Sequence, residues 1–288
     1  MYMLLKPNKL FLSSVSVAAA AAVLLSLYAV PAVTGSGAES PVDVPIIMYH
    51  GLVKDADLQN QYMIAPQSFE EDLQYLNANG FHTIFISELI GHFKNHTPLP
   101  PKPVILTFDD GYLNNYTYAY PLLQKYKCKA VISPIAAEAD KAENDENRSP
   151  AYSQCSWSEL REMSDSGYVE IQCHTYDLHT LGTRKGAGMI SGESEESYRQ
   201  VITADLTTCL ERMSAKLGKV PQAFVYPFGN KNELLLSIIK EAGFEAVLDC
   251  EEKTNSLTSS QELFSLHRFL RPPDVSAADF FKSKNASE

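Results

Sequence analysis

"VILTFDDGYLNN", Val104 to Asn115, places two adjacent carboxylates at the end of an apolar run. Val104, Ile105, Leu106 and Phe108 read as a strand covered on both faces. Successive side chains on a strand point to opposite sides, so Asp109 and Asp110 cannot both be ordinary solvated groups of one face. Gly111, directly after them, marks a turn. The flanking chain must explain why a buried strand delivers a carboxylate pair.

Outward from this stretch, short apolar runs recur at 44–49, 81–86, 129–135, 168–173, 222–227, 244–249 and 263–268. Each is β-branched or aromatic, as strands of a covered sheet are. Helical signals lie between them. Ser68 with Glu71 forms a capping-box pattern ahead of a segment that stops at Gly80, and Ser156 with Glu159 repeats it before Gly167. Asn230 is placed to cap the segment ending at Gly243. Residues 194–217 carry Tyr198, Val201, Ile202, Leu206, Leu210, Met213 and Leu217 at three- and four-residue steps. The polar stretch 138–154 is expected to be a loop. Alternating β and α elements imply parallel strands with helices outside them. The expected fold is therefore α/β, a distorted (β/α) barrel of seven or eight parallel-strand units. In such barrels chemistry gathers at the C-terminal ends of strands, where Asp109 and Asp110 stand.

Residues 1–40 differ from the rest. Lys6 and Lys9 precede an uncharged run from Leu10 to Val33, followed by the small-residue linker "TGSGAESP". This reads as a signal peptide or membrane anchor plus linker, an apolar helix that exports the remainder or holds it at the outer face of the cell membrane. Residues 41–288 then form the exported domain. The whole chain carries a net charge of −11, which argues against a nucleic-acid partner. Five cysteines show no CxxC pair, and their scatter reads as mostly free thiols.

Three motifs carry a family resemblance. "TFDDG" (107–111), "HTYDLH" (174–179) and "YPFG" (226–229) fall at strand ends in the order found in the polysaccharide deacetylases, carbohydrate esterase family 4 with a NodB homology domain. The resemblance covers roughly 44–285 and leans toward the branch of exported poly-N-acetylglucosamine deacetylases. One carboxylate oxygen and two imidazole nitrogens suit a divalent cation with an open position for chemistry. The candidate ligands are Asp110, His174 and His179, with zinc first and cobalt or nickel as alternatives. Asp109 is left as the general base, an assignment the resemblance shares. The resemblance also implies Phe228 as a backbone oxyanion donor and His267 as the acid that protonates the leaving amine. His50, Trp157 and Tyr176 are further candidates for lining the site. The implied partner is an acetylated polysaccharide, bearing N-acetyl or O-acetyl groups. A catalytically inactive glycan-binding protein on the same fold is the alternative.

Two departures from the family pattern bear on this. The histidines are five residues apart, which on an α-helix would separate them by about 140°. The segment should therefore be an irregular loop. Many members also place an arginine two residues before the motif's proline, to orient the catalytic aspartate. Here that position is Val225, so the brace is missing or comes from elsewhere; Arg268 is a possible substitute or a structural ion pair.

Overall fold

The computed structural model describes residues 40–284; the signal or anchor expected before them lies outside the described residues. Seven strands organise the described part: β1 (Ile46–Tyr49), β2 (Pro103–Asp110), β3 (Ala130–Pro134), β4 (Val169–Ile171), β5 (Ala223–Val225), β6 (Ala246–Leu248) and β7 (Phe269–Leu270). β1 pairs with β2, β2 with β3, β3 with β4, β5 with β6, and β7 with β1, all parallel. Two single bridges complete the circuit. Cys173, just past β4, bridges to Phe224 of β5, and Leu248 of β6 bridges to Leu266, three residues before β7. The pairing thus returns to its starting strand, an α/β arrangement consistent with a distorted barrel.

Alternation along the strands divides the apolar core. Ile46, Ile105, Val131, Val225 and Leu248 pack together in one cluster. Ile47, Tyr49, Leu106, Phe108 and Ile132 face the larger cluster shared with the helices. The helices are α1 (Pro66–Ala78), α2 (Ile86–Asn95), α3 (Tyr120–Tyr126), α4 (Ala136–Ala142), α5 (Trp157–Asp165), α6 (Glu195–Leu217), α7 (Glu233–Glu241) and α8 (Ala277–Lys284). Strands that meet apolar neighbours on both sides need no polar alternation, which explains the unbroken run in β2.

Several local expectations are corrected. α1 begins at Pro66 with Ala65 as N-cap, so Ser68 lies inside the helix; proline's fixed φ makes it a ready first residue. The cap of α7 is Asn232, whose side chain accepts the Leu235 N–H at 2.7 Å. Asn230 instead donates to the Lys185 carbonyl. The run 263–268 is not a strand: Ser260–Ser265 forms a 3-10 turn, closed by Glu262 accepting the Ser259 N–H. Of 81–86, only His82–Thr83 pairs, against the start of β2. Part of the expected loop 138–154 belongs to α4, where alanines favour helix. The Ser156–Glu159 capping box is present, and α6 runs from its cap at Ser194 to Gly218. All five cysteines are free, four of them buried. Among the described residues no helix is long and apolar enough to cross a membrane.

Candidate active site

β2 presents Ile105, Thr107 and Asp109 on the face opposite Leu106 and Phe108. Ordinary alternation would send Asp110 toward the helices with Phe108. It does not, because Asp110 takes a left-handed backbone, φ 66°, and Gly111 follows at 74°. A Cβ at Gly111 would stand 2.6 Å from the Pro134 Cβ, so only glycine fits there. This break in the pleat turns both carboxylates into one cavity of about 740 Å³, lined also by His50, Tyr112, His174, His179 and Phe228.

The histidines arrive from the segment after β4, which is irregular, as their spacing requires. Thr175 between them adopts φ 72°. His174 Nδ1 lies 2.9 Å from the Val225 carbonyl, which as acceptor fixes the proton on Nδ1 and leaves Nε2 bare. His174 Nε2 and His179 Nε2 approach Asp110 Oδ1 at 3.6 and 3.4 Å. That oxygen is buried and has no hydrogen-bond partner. Burial raises the Asp110 pKa to about 6, with Asp109 adding to the rise and His50 opposing it. Burial also lowers His174 to about 3 and lowers His179, favouring the neutral form of both imidazoles. A bare carboxylate oxygen facing two unprotonated ring nitrogens is what a divalent cation would complete. The residues fit the group; the donor set of one carboxylate and two imidazoles suits zinc and its neighbours without selecting among them.

Asp109 has a different environment. Arg268, wholly buried, grips it with Nη1 to Oδ1 at 2.6 Å and Nη2 to Oδ2 at 2.8 Å. Burial alone would raise this carboxyl, but Arg268, His174 and His50 outweigh it and hold Asp109 well below the usual carboxylate range. Arg268 is itself oriented by donating from Nε to the Asp249 carbonyl at 2.8 Å. The brace absent at Val225 is therefore supplied from the other side of the ring.

His267 does not reach this cavity. It directly precedes Arg268 and points the opposite way, with Nδ1 3.0 Å from Asp249 Oδ1. Asp249, Glu251 and His267 form a second cluster of ligand-type residues. Lys231 already supplies its positive charge, 2.6 Å from both Asp249 and Glu251. Trp157 is buried and donates to Asp140, and the Tyr176 hydroxyl donates to the same carboxylate, so neither lines the cavity. His50 does line it, its ring against Tyr62 at 4.8 Å and its Nδ1 buried without a partner. Phe228 holds a left-handed φ of 57° and stacks on His179 with centroids 4.3 Å apart. Sequence reasoning missed Tyr112, set against Asp110, and Tyr62 and Leu181 at the rim. Tyr112 directly follows Gly111, and that adjacency was its available signal.

Comparison with known proteins agrees with this geometry. Residues 96–247 match the family model described as polysaccharide deacetylase. The chain is 26% identical over 254 residues to the poly-beta-1,6-N-acetyl-D-glucosamine N-deacetylase of Escherichia coli K12, covering 81% of this chain but 37% of that protein. The Staphylococcus aureus N315 enzyme of the same description is 27% identical over 214 residues, covering 74% of this chain and 69% of its own length. Among solved structures, a de-N-acetylase from Aggregatibacter actinomycetemcomitans superposes with a TM-score of 0.73 at 25% identity, over 84% of this chain and 99% of that one. IcaB from Ammonifex degensii superposes at 0.67 with 26% identity, over 81% and 93%. With its three motifs gathered around one cavity and more than half its length matched, this chain belongs to the polysaccharide deacetylase family of hydrolases.

Proposed function

We propose that the protein hydrolyses N-acetyl groups on an extracytoplasmic polysaccharide of the poly-N-acetylglucosamine type, exported by its N-terminal segment. The observation that carries this reading is the partnerless Asp110 oxygen facing two imidazole nitrogens, beside an aspartate clamped by arginine. The named activities of the E. coli and S. aureus relatives support the substrate class. Asp110, His174 and His179 would hold a divalent cation, which when bound polarises the acetyl carbonyl and acidifies an attacking water.

Asp109, ionised and fixed by Arg268, takes the proton of the attacking water. Its guanidinium clamp limits rotation, so the accepting oxygen stays aimed into the cavity. The Phe228 backbone N–H, in a turn held at a left-handed φ of 57°, would donate to the oxyanion that develops on the acetyl oxygen. An amide nitrogen leaves poorly unless protonated, and with His174 and His179 committed to the cation, His50 is the cavity histidine left to donate. Oxygen esters need this last step less, so a residual O-deacetylation is compatible.

The clamp by Arg268 also weighs against an inactive glycan-binding protein, since Asp109 is oriented by an arginine even though position 225 is valine. Acetate release from poly-β-1,6-N-acetylglucosamine oligomers tests the proposal. The wild type should release acetate, and Asp109→Asn should keep its metal while losing turnover by about 100-fold or more. Undiminished release by Asp109→Asn would overturn the role given to that residue, and no release from any acetylated glycan would overturn the function.

A further inference from the structure

Away from the cavity, two thiols meet in the interior. Cys173 sits in the joint between β4 and β5, donating its N–H to the Ala223 carbonyl at 3.1 Å and accepting the Val225 N–H at 2.9 Å. Cys209 lies within α6. Their sulfurs are 3.2 Å apart and both residues are fully buried. This is roughly an ångström beyond a covalent S–S bond of about 2.05 Å, with no room for an atom between them. The other cysteines face elsewhere: Cys128 toward Asn77, Cys155 toward the Tyr112 carbonyl, Cys250 toward Met48 and Arg268.

We propose that Cys173 and Cys209 are a disulfide-forming site, closed while the chain folds and then sealed in the core, tying the strand joint before His174 to α6. The reaction requires a disulfide co-reactant, either a small dithio compound such as oxidised glutathione or a protein disulfide. One protein thiolate attacks it and expels a thiolate, giving a mixed disulfide. The second protein thiolate then attacks the protein sulfur of that bond and expels the other half. Two protein thiols lose two protons and two electrons, and the co-reactant is reduced to two thiols. Timing follows from burial. Both side chains are fully enclosed by the core, so the folded protein offers no path for a co-reactant to either sulfur. Exchange must precede closure of the core, and the finished bond is shielded from reductant by the same packing.

The test uses the full chain, unfolded with reductant and refolded in a reduced and oxidised glutathione buffer. The protein is then unfolded in denaturant at acidic pH without reductant, free thiols are blocked with N-ethylmaleimide in that denaturant, and peptides are mapped without reduction. The expected product in most molecules is a Cys173–Cys209 peptide pair, lighter by two hydrogens, with Cys128, Cys155 and Cys250 labelled. The oxidised protein should melt higher than the same protein refolded under reductant. Cys209→Ser should lose the cross-link; should that variant not fold, the wild-type comparison with and without reductant still decides. Folded, reduced protein placed in the same buffer should stay uncross-linked far longer than refolding takes. Labelling of all five thiols after oxidative refolding, or cross-links spread evenly among other cysteines, would overturn the site. Rapid oxidation of the folded form would overturn the proposed order of events.

Discussion

At the scale of single residues, the site depends on one broken alternation. Asp110 at φ 66° abandons the pleat of β2, and Gly111 lets it do so because Pro134 leaves no space for a Cβ. Gly111→Ala should therefore destabilise the fold by about 2 kcal/mol or more, read as a lower denaturant midpoint, and should cost metal as well as stability. Arg268 is the second residue on which the site turns. Arg268→Met would leave Asp109 as an uncompensated buried charge, at a cost of about 3–5 kcal/mol. Arg268→Lys keeps the charge but not the two-pronged geometry, so it should fold, bind metal and lose about tenfold or more in kcat. Unchanged kcat in Arg268→Lys would show that orientation of Asp109 does not matter. The motifs alone pointed to Asp110, His174 and His179 as candidate ligands, and the structure brings these three together. The clamp was only half legible, because Arg268 and Asp109 are 159 positions apart and sequence offers no view across a ring. The same blindness misled the reading of His267: neighbours on an extended segment face opposite ways, and the arginine took the inward position.

At the scale of elements, the errors fall where two local signals compete. Asn230 and Asn232 are both able to cap α7, and composition does not rank them. The structure assigns the cap to Asn232 and gives Asn230 to the Lys185 loop. Asn232→Ala should thus cost about 1 kcal/mol in thermal or chemical unfolding, and a similar loss from Asn230→Ala alone would contradict the assigned cap. The run 263–268 departs from the expected strand because its apolar residues serve the end of a 3-10 turn and a single bridge at Leu266, with only two residues of strand following at Phe269–Leu270. Period-two reasoning needs a longer strand than that to register. The histidine loop was legible because a five-residue spacing is incompatible with a helix presenting both rings together.

At the scale of the whole molecule, the candidate ligands come from two separate parts of the ring: Asp110 from the end of β2, and His174 and His179 from the segment after β4. A cation shared between them should staple those parts together. Added zinc at about 100 times its dissociation constant would stabilise the folded form by about 2.7 kcal/mol, a rise of roughly 5–10 °C in Tm. Chelation should reverse the rise, and His174→Ala should abolish it. An equal rise in His174→Ala would mean the cation binds elsewhere. The rim gives a further expectation: Tyr62 is 45% exposed yet lines the cavity mouth, so Tyr62→Ala should raise KM for oligomers several-fold with kcat little changed. The parallel α/β architecture was legible from strand–helix alternation, whereas closure through two isolated bridges was not, because single bridges leave no periodic trace.

The most direct measurement is an anomalous difference map at the zinc absorption edge, from crystals of the protein grown with zinc. One strong peak should lie about 2.0–2.2 Å from Asp110 Oδ1, His174 Nε2 and His179 Nε2. No peak there, or one at Asp249, Glu251 and His267 instead, would contradict the account.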